Sequence, residues 1–496
     1  MTHSGRWLLA PWDALGAVLV LSFVGLLAWH LLARAPEGPA ADALLLDPST
    51  EVQLGDEWLG LYFRGDRVGL VHIHKSAREG SGYRYDLRTR LRLSAFGTQA
   101  PMDMRVGADL SPGLALEHFD FSVEAGPARL IGQGTVDDRT VRLRLSTGGE
   151  AFDKTLQLDQ PPVLRAQLGP LLSRRALTPG ARFSFTAFDP LSQSDQRIDV
   201  EVIGPDTVIV FGREVPAIHL RQTISGLVLD GWINGRGEML RQELGLGLVA
   251  VRETREEARF GLLPTAGSEG ANLIRATQVA VGGLPPSLRD VDRLALRVSG
   301  VDLSDFALAD RRQQFADAVL SVAREPVGPG LSLPVTTGAP PESLASDALI
   351  QASHPRIRTT AKVAIGHARD TVTAARRLKD WVHHRLEQTA VPGVPSALET
   401  LDARVGDCNE HSTLFAALAR SVGIPTRIVV GLVYADGRFG YHAWNEVLAA
   451  DGWLSVDATW NQMPVDVGHL AMLRGGLSEQ ARLLPLMGRL QLTVVP

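Results

Sequence analysis

The period of the apolar residues changes several times along the chain, and each change marks a region. From Ala14 to Ala33 there is no period: twenty residues run without an Asp, Glu, Lys or Arg, enough as a helix to cross about 30 Å of bilayer core. This predicts a transmembrane anchor at 14–33, a short cytoplasmic N-terminus at 1–13 and a tether at 34–50. Arg6 and the free amine precede the stretch while Glu37, Asp42 and Asp47 follow it, so the expected location is the cell inner membrane, single-pass, with the large C-terminal part periplasmic or extracellular. Ala33-Arg34-Ala35 offers a cleaved signal peptide as the alternative, and both readings export the same remainder.

From about Trp58 to Glu253 the period is two. Tyr83, Tyr85, Leu87, Thr89, Leu91 and Leu93 fall on one face of a strand, with Arg84, Asp86, Arg88, Arg90 and Arg92 on the other, the pattern of a half-buried antiparallel strand. Similar alternation at Thr140–Leu145 and Ile198–Val202, with turn residues at Gly65-Asp66 and Asn234-Gly235, predicts β-rich domain structure over 51–263, a sandwich or open barrel. A small mixed segment is expected at 273–325 and a Pro/Gly linker at 326–344.

The last region, 345–496, switches to a helical period. Val372, Ala375, Leu378, Trp381, Val382 and Leu386 make one apolar stripe. Asp407 and Glu410 have the spacing of a capping box ahead of Leu414, Phe415, Leu418 and Val422, with Gly423 and Pro425 closing the helix. Three strands are expected after it: Arg427–Tyr434, Tyr441–Leu448 and Trp453–Val456. The expected fold class for the whole chain is therefore α+β: the transmembrane helix, the antiparallel β-rich middle and a C-terminal α+β domain.

Composition narrows the function. At 496 residues, 45% hydrophobic and 21% charged, the chain is multidomain and globular. Lys plus Arg number 50 against 55 Asp plus Glu, with no basic run, which argues against nucleic acid as a partner. The single cysteine, Cys408, rules out an internal disulfide framework. It stands at the first position of the capped helix, where exposed N–H groups and the helix dipole favour a thiolate, with Asp407 opposing in part. If Leu448 pairs with Trp453 across the second hairpin, Trp444 faces Asp457 and His442 lies diagonal to it on the same face, so Asp457 can orient His442 and His442 can serve Cys408. His72 and His74 share a strand face but lack a third metal ligand, and no nucleotide-binding glycine loop occurs.

At these residues the sequence resembles the transglutaminase-like superfamily, relatives of papain-type thiol enzymes. The resemblance rests on Gly406-Asp407-Cys408-Asn409-Glu410-His411, Gly423-Ile424-Pro425-Thr426-Arg427, Tyr441-His442-Ala443-Trp444-Asn445-Glu446-Val447 and Trp453-Leu454-Ser455-Val456-Asp457-Ala458-Thr459. It implies a C-terminal papain-like domain with Cys408 as nucleophile, His442 as general base and acid, and Asp457 as the orienting group. Tyr441 and Trp444 are expected as walls of the substrate site. The family's usual Asp-Pro-Thr reads Asp457-Ala458-Thr459 here, which loosens that turn and keeps the carboxylate. The function expected is thiol-dependent acyl transfer on protein or peptide amide bonds through a Cys408 thioester, with hydrolysis favoured over transglutamination because water is abundant outside the membrane. The competing reading is a non-catalytic binding or scaffold module of the cell envelope. Neither a metal nor an organic cofactor is required, and no calcium-binding run of acidic residues is present.

Overall fold

Alternating sequence becomes strand wherever one face can be buried. In Thr140–Thr147, Val141, Leu143, Leu145 and Thr147 are buried while Arg142 and Arg144 are exposed, so the strand contributes every second side chain to the core. The computed structural model describes residues 54–495 apart from 80–81, 96–97, 126–127, 159–160, 163–176, 190–193, 225–226, 246, 261–277, 305, 390–394, 436 and 476–480. Its largest element is one sheet of 14 strands, all neighbours antiparallel. Eight strands meander from Gly55–Phe63 to Glu150–Gln157, and six more run from Arg182–Asp189 to Leu248–Glu253. The first and last of these pair with each other, Leu61 opposite Ala250, so the sheet is continuous through its middle.

The C-terminal half begins with a cluster of four helices, α1 (Pro355–Ile365), α2 (Thr371–Arg385), α3 (Ala397–Ala403) and α4 (Cys408–Ser421). Every residue of α4 from Cys408 to Ala419 is buried, because α1, α2 and α3 and a second sheet surround it. That sheet contains β1 (Thr426–Ala435), β2 (Arg438–Ala449), β3 (Gly452–Val456) and β4 (His469–Arg474), in the order β3, β2, β1, β4. A third, four-stranded sheet joins Gln313–Ala316, Val319–Ala323 and Arg293–Ser299 to the C-terminal strand Gln491–Val494.

The 14-stranded sheet docks on α3 through one carboxylate. Glu399 accepts from Ser396 N at 2.8 Å, closing the capping box of α3, from Thr147 Oγ1 at 3.1 Å, and from Arg129 N at 3.2 Å. Gln351 adds a second tie, accepting from Leu398 N at 2.9 Å and donating to Thr147 O at 3.4 Å.

The expected α+β class is corrected by this architecture. The described chain is mainly β, with its long helices confined to 355–421, because the period-two pattern fills some 200 residues and the segment read as mixed, 273–325, also forms strands. The expected transmembrane helix at 14–33 lies outside the described residues, and among the described residues no helix is long and apolar enough to cross a membrane.

Candidate active site

The site is built where α4 begins against β2. Asp407 caps α4 by accepting from Asn409 N at 2.9 Å, and Glu410 accepts from Asp407 N at 2.8 Å in return. Gly406 is required for this approach, since a Cβ there would meet Glu410 Cβ at 2.3 Å. The cap fixes Cys408 at the first helical position, where the helix dipole favours a thiolate. Burial outweighs it: Cys408 is 0% exposed, and desolvation followed by the Asp407 charge pushes the thiol well up, with the Ala443 N–H pulling the other way. Enclosure therefore works against the thiolate that the helix start favours, an effect the sequence does not show.

β2 and β3 carry the other two groups. Leu448 pairs with Trp453 and Asn445 with Val456, the register that sets His442 diagonal to Asp457. His442 Nε2 donates to Asp457 Oδ2 at 2.8 Å. Asp457 Oδ1 accepts from Thr459 N at 2.7 Å and Trp460 N at 3.1 Å, and reciprocal backbone bonds of 2.9 Å between Asp457 and Gln462 close the loop behind it. Burial would raise the Asp457 carboxyl, but His442, the second imidazole described below and these N–H donors hold it far below the usual carboxylate range. Burial lowers His442 despite the neighbouring carboxylate, so the imidazole is neutral at rest. Its Nδ1 is buried and without a hydrogen-bond partner. The structure thus brings His442 and Asp457 into contact and sets Cys408 against the Ala443 N–H, one residue from His442, without forming a thiol–imidazole bond.

Trp444 borders the His442 ring at 6.0 Å between centroids. Gly431 beneath it is required by the close pairing with β4, since a Cβ there would meet Leu470 O at 2.0 Å and would also come within 3.0 Å of Trp444 Cη2. Tyr441 lies on the opposite face of β2, with Ala443 and Asn445, the face from which Asn445 Nδ2 donates to Ser412 O of α4 at 3.1 Å. Its hydroxyl is buried without a partner, and burial pushes it well above the usual phenol range.

Two groups here, His469 and Trp460, escaped the sequence reading. His469, the first residue of β4, approaches Asp457 Oδ2 with Nε2 at 3.1 Å and Asp466 Oδ1 with Nδ1 at 3.0 Å. Trp460 packs edge-on to His442 at 6.0 Å. His383 Nδ1 meets Ala458 O at 3.1 Å, and His411 Nδ1 meets Asp407 O at 2.6 Å. A polar His469 opening the otherwise apolar run Leu470-Ala471-Met472-Leu473 was the available signal. The reactive atoms of His442, Asp457 and His469 lie within 4.8 Å of one another, but they are taken up by hydrogen bonds among themselves, and we read them as a hydrogen-bonded chain, not as metal ligands. At the far surface, His72 and His74 share Asp56 Oδ1 at 2.6 and 3.0 Å, and Trp58 stacks on His72.

Known proteins place this region. The family model described as the transglutaminase-like superfamily matches residues 358–458. A protein-glutamine gamma-glutamyltransferase from Pseudomonas aeruginosa is 31% identical over 22% of this chain, and the chain spans only 19% of that relative's length. Among solved structures, a candidate cysteine protease from Cytophaga hutchinsonii aligns at 15% identity over 37% of this chain and 79% of its own, with a TM-score of 0.27. A β-barrel-like protein of a domain of unknown function from Brucella abortus aligns at 14% identity over 41% of this chain and 97% of its own, with a TM-score of 0.32. The matched segment runs from α1 through Cys408, His442 and Asp457 to Ala458, and over these residues the chain is similar to the transglutaminase-like superfamily.

Proposed function

We propose that this domain is a thiol acyltransferase that acts on amide groups of a protein or peptide, with Cys408 as nucleophile, His442 as proton carrier and Asp457 as the group that orients His442. The observation that carries the reading is the buried His442–Asp457 pair, bonded at 2.8 Å, beside a cysteine fixed at a helix N-terminus. In the reaction, Cys408 Sγ bonds to the amide carbon while its proton passes to His442. The C–N bond then breaks, the proton leaves on the departing amine or ammonia, and a thioester remains. An acceptor amine attacks the thioester, gives its proton to His442 and releases the new amide, and that proton restores the thiol.

Enclosure supports an amine over water as acceptor. Cys408 and His442 are 0% exposed and Trp444 is 1% exposed, and a thioester kept from bulk water survives until an amine arrives. The name of the Pseudomonas relative points the same way. This reverses the leaning toward hydrolysis drawn from sequence, which had no view of burial.

The test is incubation of the full chain with dansylcadaverine and a glutamine-rich protein. Covalent label that is lost in Cys408→Ala supports acyl transfer to amines. New peptide termini without label mean hydrolysis. Neither product, with Cys408→Ala binding the same protein unchanged, means a binding module.

A further inference from the structure

His469 lies beyond the matched family segment, which ends at residue 458, and it is fully buried. Each of its ring nitrogens faces a carboxylate oxygen: Nε2 that of Asp457 at 3.1 Å, Nδ1 that of Asp466 at 3.0 Å. Both carboxylates are furnished as anions. Asp457 accepts from Thr459 N, Trp460 N and His442, and Asp466 accepts from Gly468 N at 3.0 Å and Gln462 Nε2 at 2.9 Å. A neutral imidazole carries one N–H and one lone pair. In this position it would press that lone pair against an anionic oxygen in a dry interior, a cost removed only by a second proton.

We propose that His469 is a buried imidazolium and a positioning residue for the His442–Asp457 pair, resting on the function proposed above. It shares Asp457 Oδ2 with His442 and halves the negative charge that His442 faces. With His442 neutral, the groups Asp457, Asp466 and His469 sum to one negative charge; without the His469 proton they would sum to two. The clamp therefore keeps Asp457 from holding a proton on His442 so firmly that the imidazole cannot accept one from Cys408. Burial opposes a charge on His469, and the two carboxylates outweigh it, which raises the ring above its ordinary range.

The remaining surroundings fit the same role. Arg312 donates from Nη1 to His469 O and from Nη2 to Asp466 O, each at 2.7 Å. Gln313 brackets Ala471, donating to its carbonyl at 2.7 Å and accepting from its N–H at 3.0 Å. The four-stranded sheet thus grips the backbone that carries the imidazole. The rings packed on His469 are His442, Trp444 and Trp460. The other charged groups nearby are Glu325, which accepts from Ser455 N at 2.9 Å, and Asp310 and Glu446, both within electrostatic reach of Arg312.

Two measurements on the full chain test this. In ¹⁵N-histidine spectra, one ring should keep both nitrogens protonated at pH 8 and should vanish from that state in His469→Gln and in Asp466→Asn. No such ring at pH 8 overturns the proposal, and this reading does not depend on the glutamine variant folding well. The second measurement is the pH profile of Cys408 alkylation by iodoacetamide. Loss of the His469 charge, 5.7 Å from the His442 ring, makes the first proton of the Cys408–His442 site harder to remove. The acid limb should therefore move up by about one to two pH units in His469→Gln. A uniform fall in rate with an unmoved limb would show a merely structural histidine and would also overturn the proposal. Failure of the acyl-transfer reading looks different: no dansylcadaverine incorporation by the wild type, with the doubly protonated ring and the shifted limb intact.

Discussion

Replacement of Asp457 by Asn separates orientation from mere occupancy of space. Asn keeps an oxygen for Thr459 N and Trp460 N, which now bind Asp457 Oδ1 at 2.7 and 3.1 Å. Its other end becomes an NH2 facing His442 Nε2 and His469 Nε2, 2.8 and 3.1 Å from the present oxygen. A donor there forces His442 to present a lone pair at Nε2 and place its proton on Nδ1, the nitrogen that must take the Cys408 proton. An imidazole in the wrong tautomer costs a triad enzyme about 10⁴ in turnover, or roughly 5 kcal/mol of transition-state stabilisation. Stability changes by a different amount. Removal of one partner from a buried charged cluster costs about 3 kcal/mol, here the loss of one of the two anions that hold His469.

The pH dependence follows from sign. Asp457 is held far below its unfolded value, so the stability it contributes is complete above the unfolded carboxylate pKa of about 4 and is lost as pH falls below it. The gap between wild type and Asp457→Asn in urea midpoint should accordingly be constant from pH 8 to about 5 and should close toward pH 2. Activity is read by dansylcadaverine incorporation, and thiol reactivity by mass spectrometry of iodoacetamide adducts, unambiguous because Cys408 is the only cysteine. Wild-type turnover in folded Asp457→Asn would refute the role given to this carboxylate, and a gap that persists undiminished at pH 2 would refute its burial as an anion.

Three further perturbations probe separate parts of the argument. Tyr441→Phe removes a buried hydroxyl without a partner and should leave the urea midpoint unchanged or raise stability by up to about 1 kcal/mol; a loss above that would reveal a bond to the hydroxyl. His411 is depressed to about 4 by burial while the unfolded chain titrates near 6.5, so the unfolded state binds more protons between these values. Stability should fall by about 3 kcal/mol as pH drops from 7 to 4, and His411→Gln should flatten that slope in urea titrations. Glu399→Ala strips the acceptor from Arg129 N, Thr147 Oγ1 and the α3 cap; the Arg129 amide should exchange with deuterium at least tenfold faster, and an unchanged rate would show that the sheet docks by other contacts.

What could be read in the sequence, and what could not, divides by the range of the interactions. The Asp407–Glu410 cap needs residues three apart, and it is present as spaced. The diagonal between His442 and Asp457 needs only one hairpin, and the Leu448–Trp453 pair that sets it follows from a short turn. Overall class was misjudged because a helical stripe in the last 150 residues was given the same weight as an alternation that builds 14 strands. His469 showed only its polarity at the head of an apolar run, and its partners were out of reach for a stronger reason. It follows an irregular loop after Asp457, cross-braced by Gln462 to Asp466, and its strand is gripped by Arg312 and Gln313 from 157 and 158 residues away. No local period encodes such a contact. The same distance ties the four-stranded sheet to the site: Gln313 in its first strand holds Ala471 of β4 through two hydrogen bonds, so the position of one imidazole beside Asp457 depends on a strand far away in sequence.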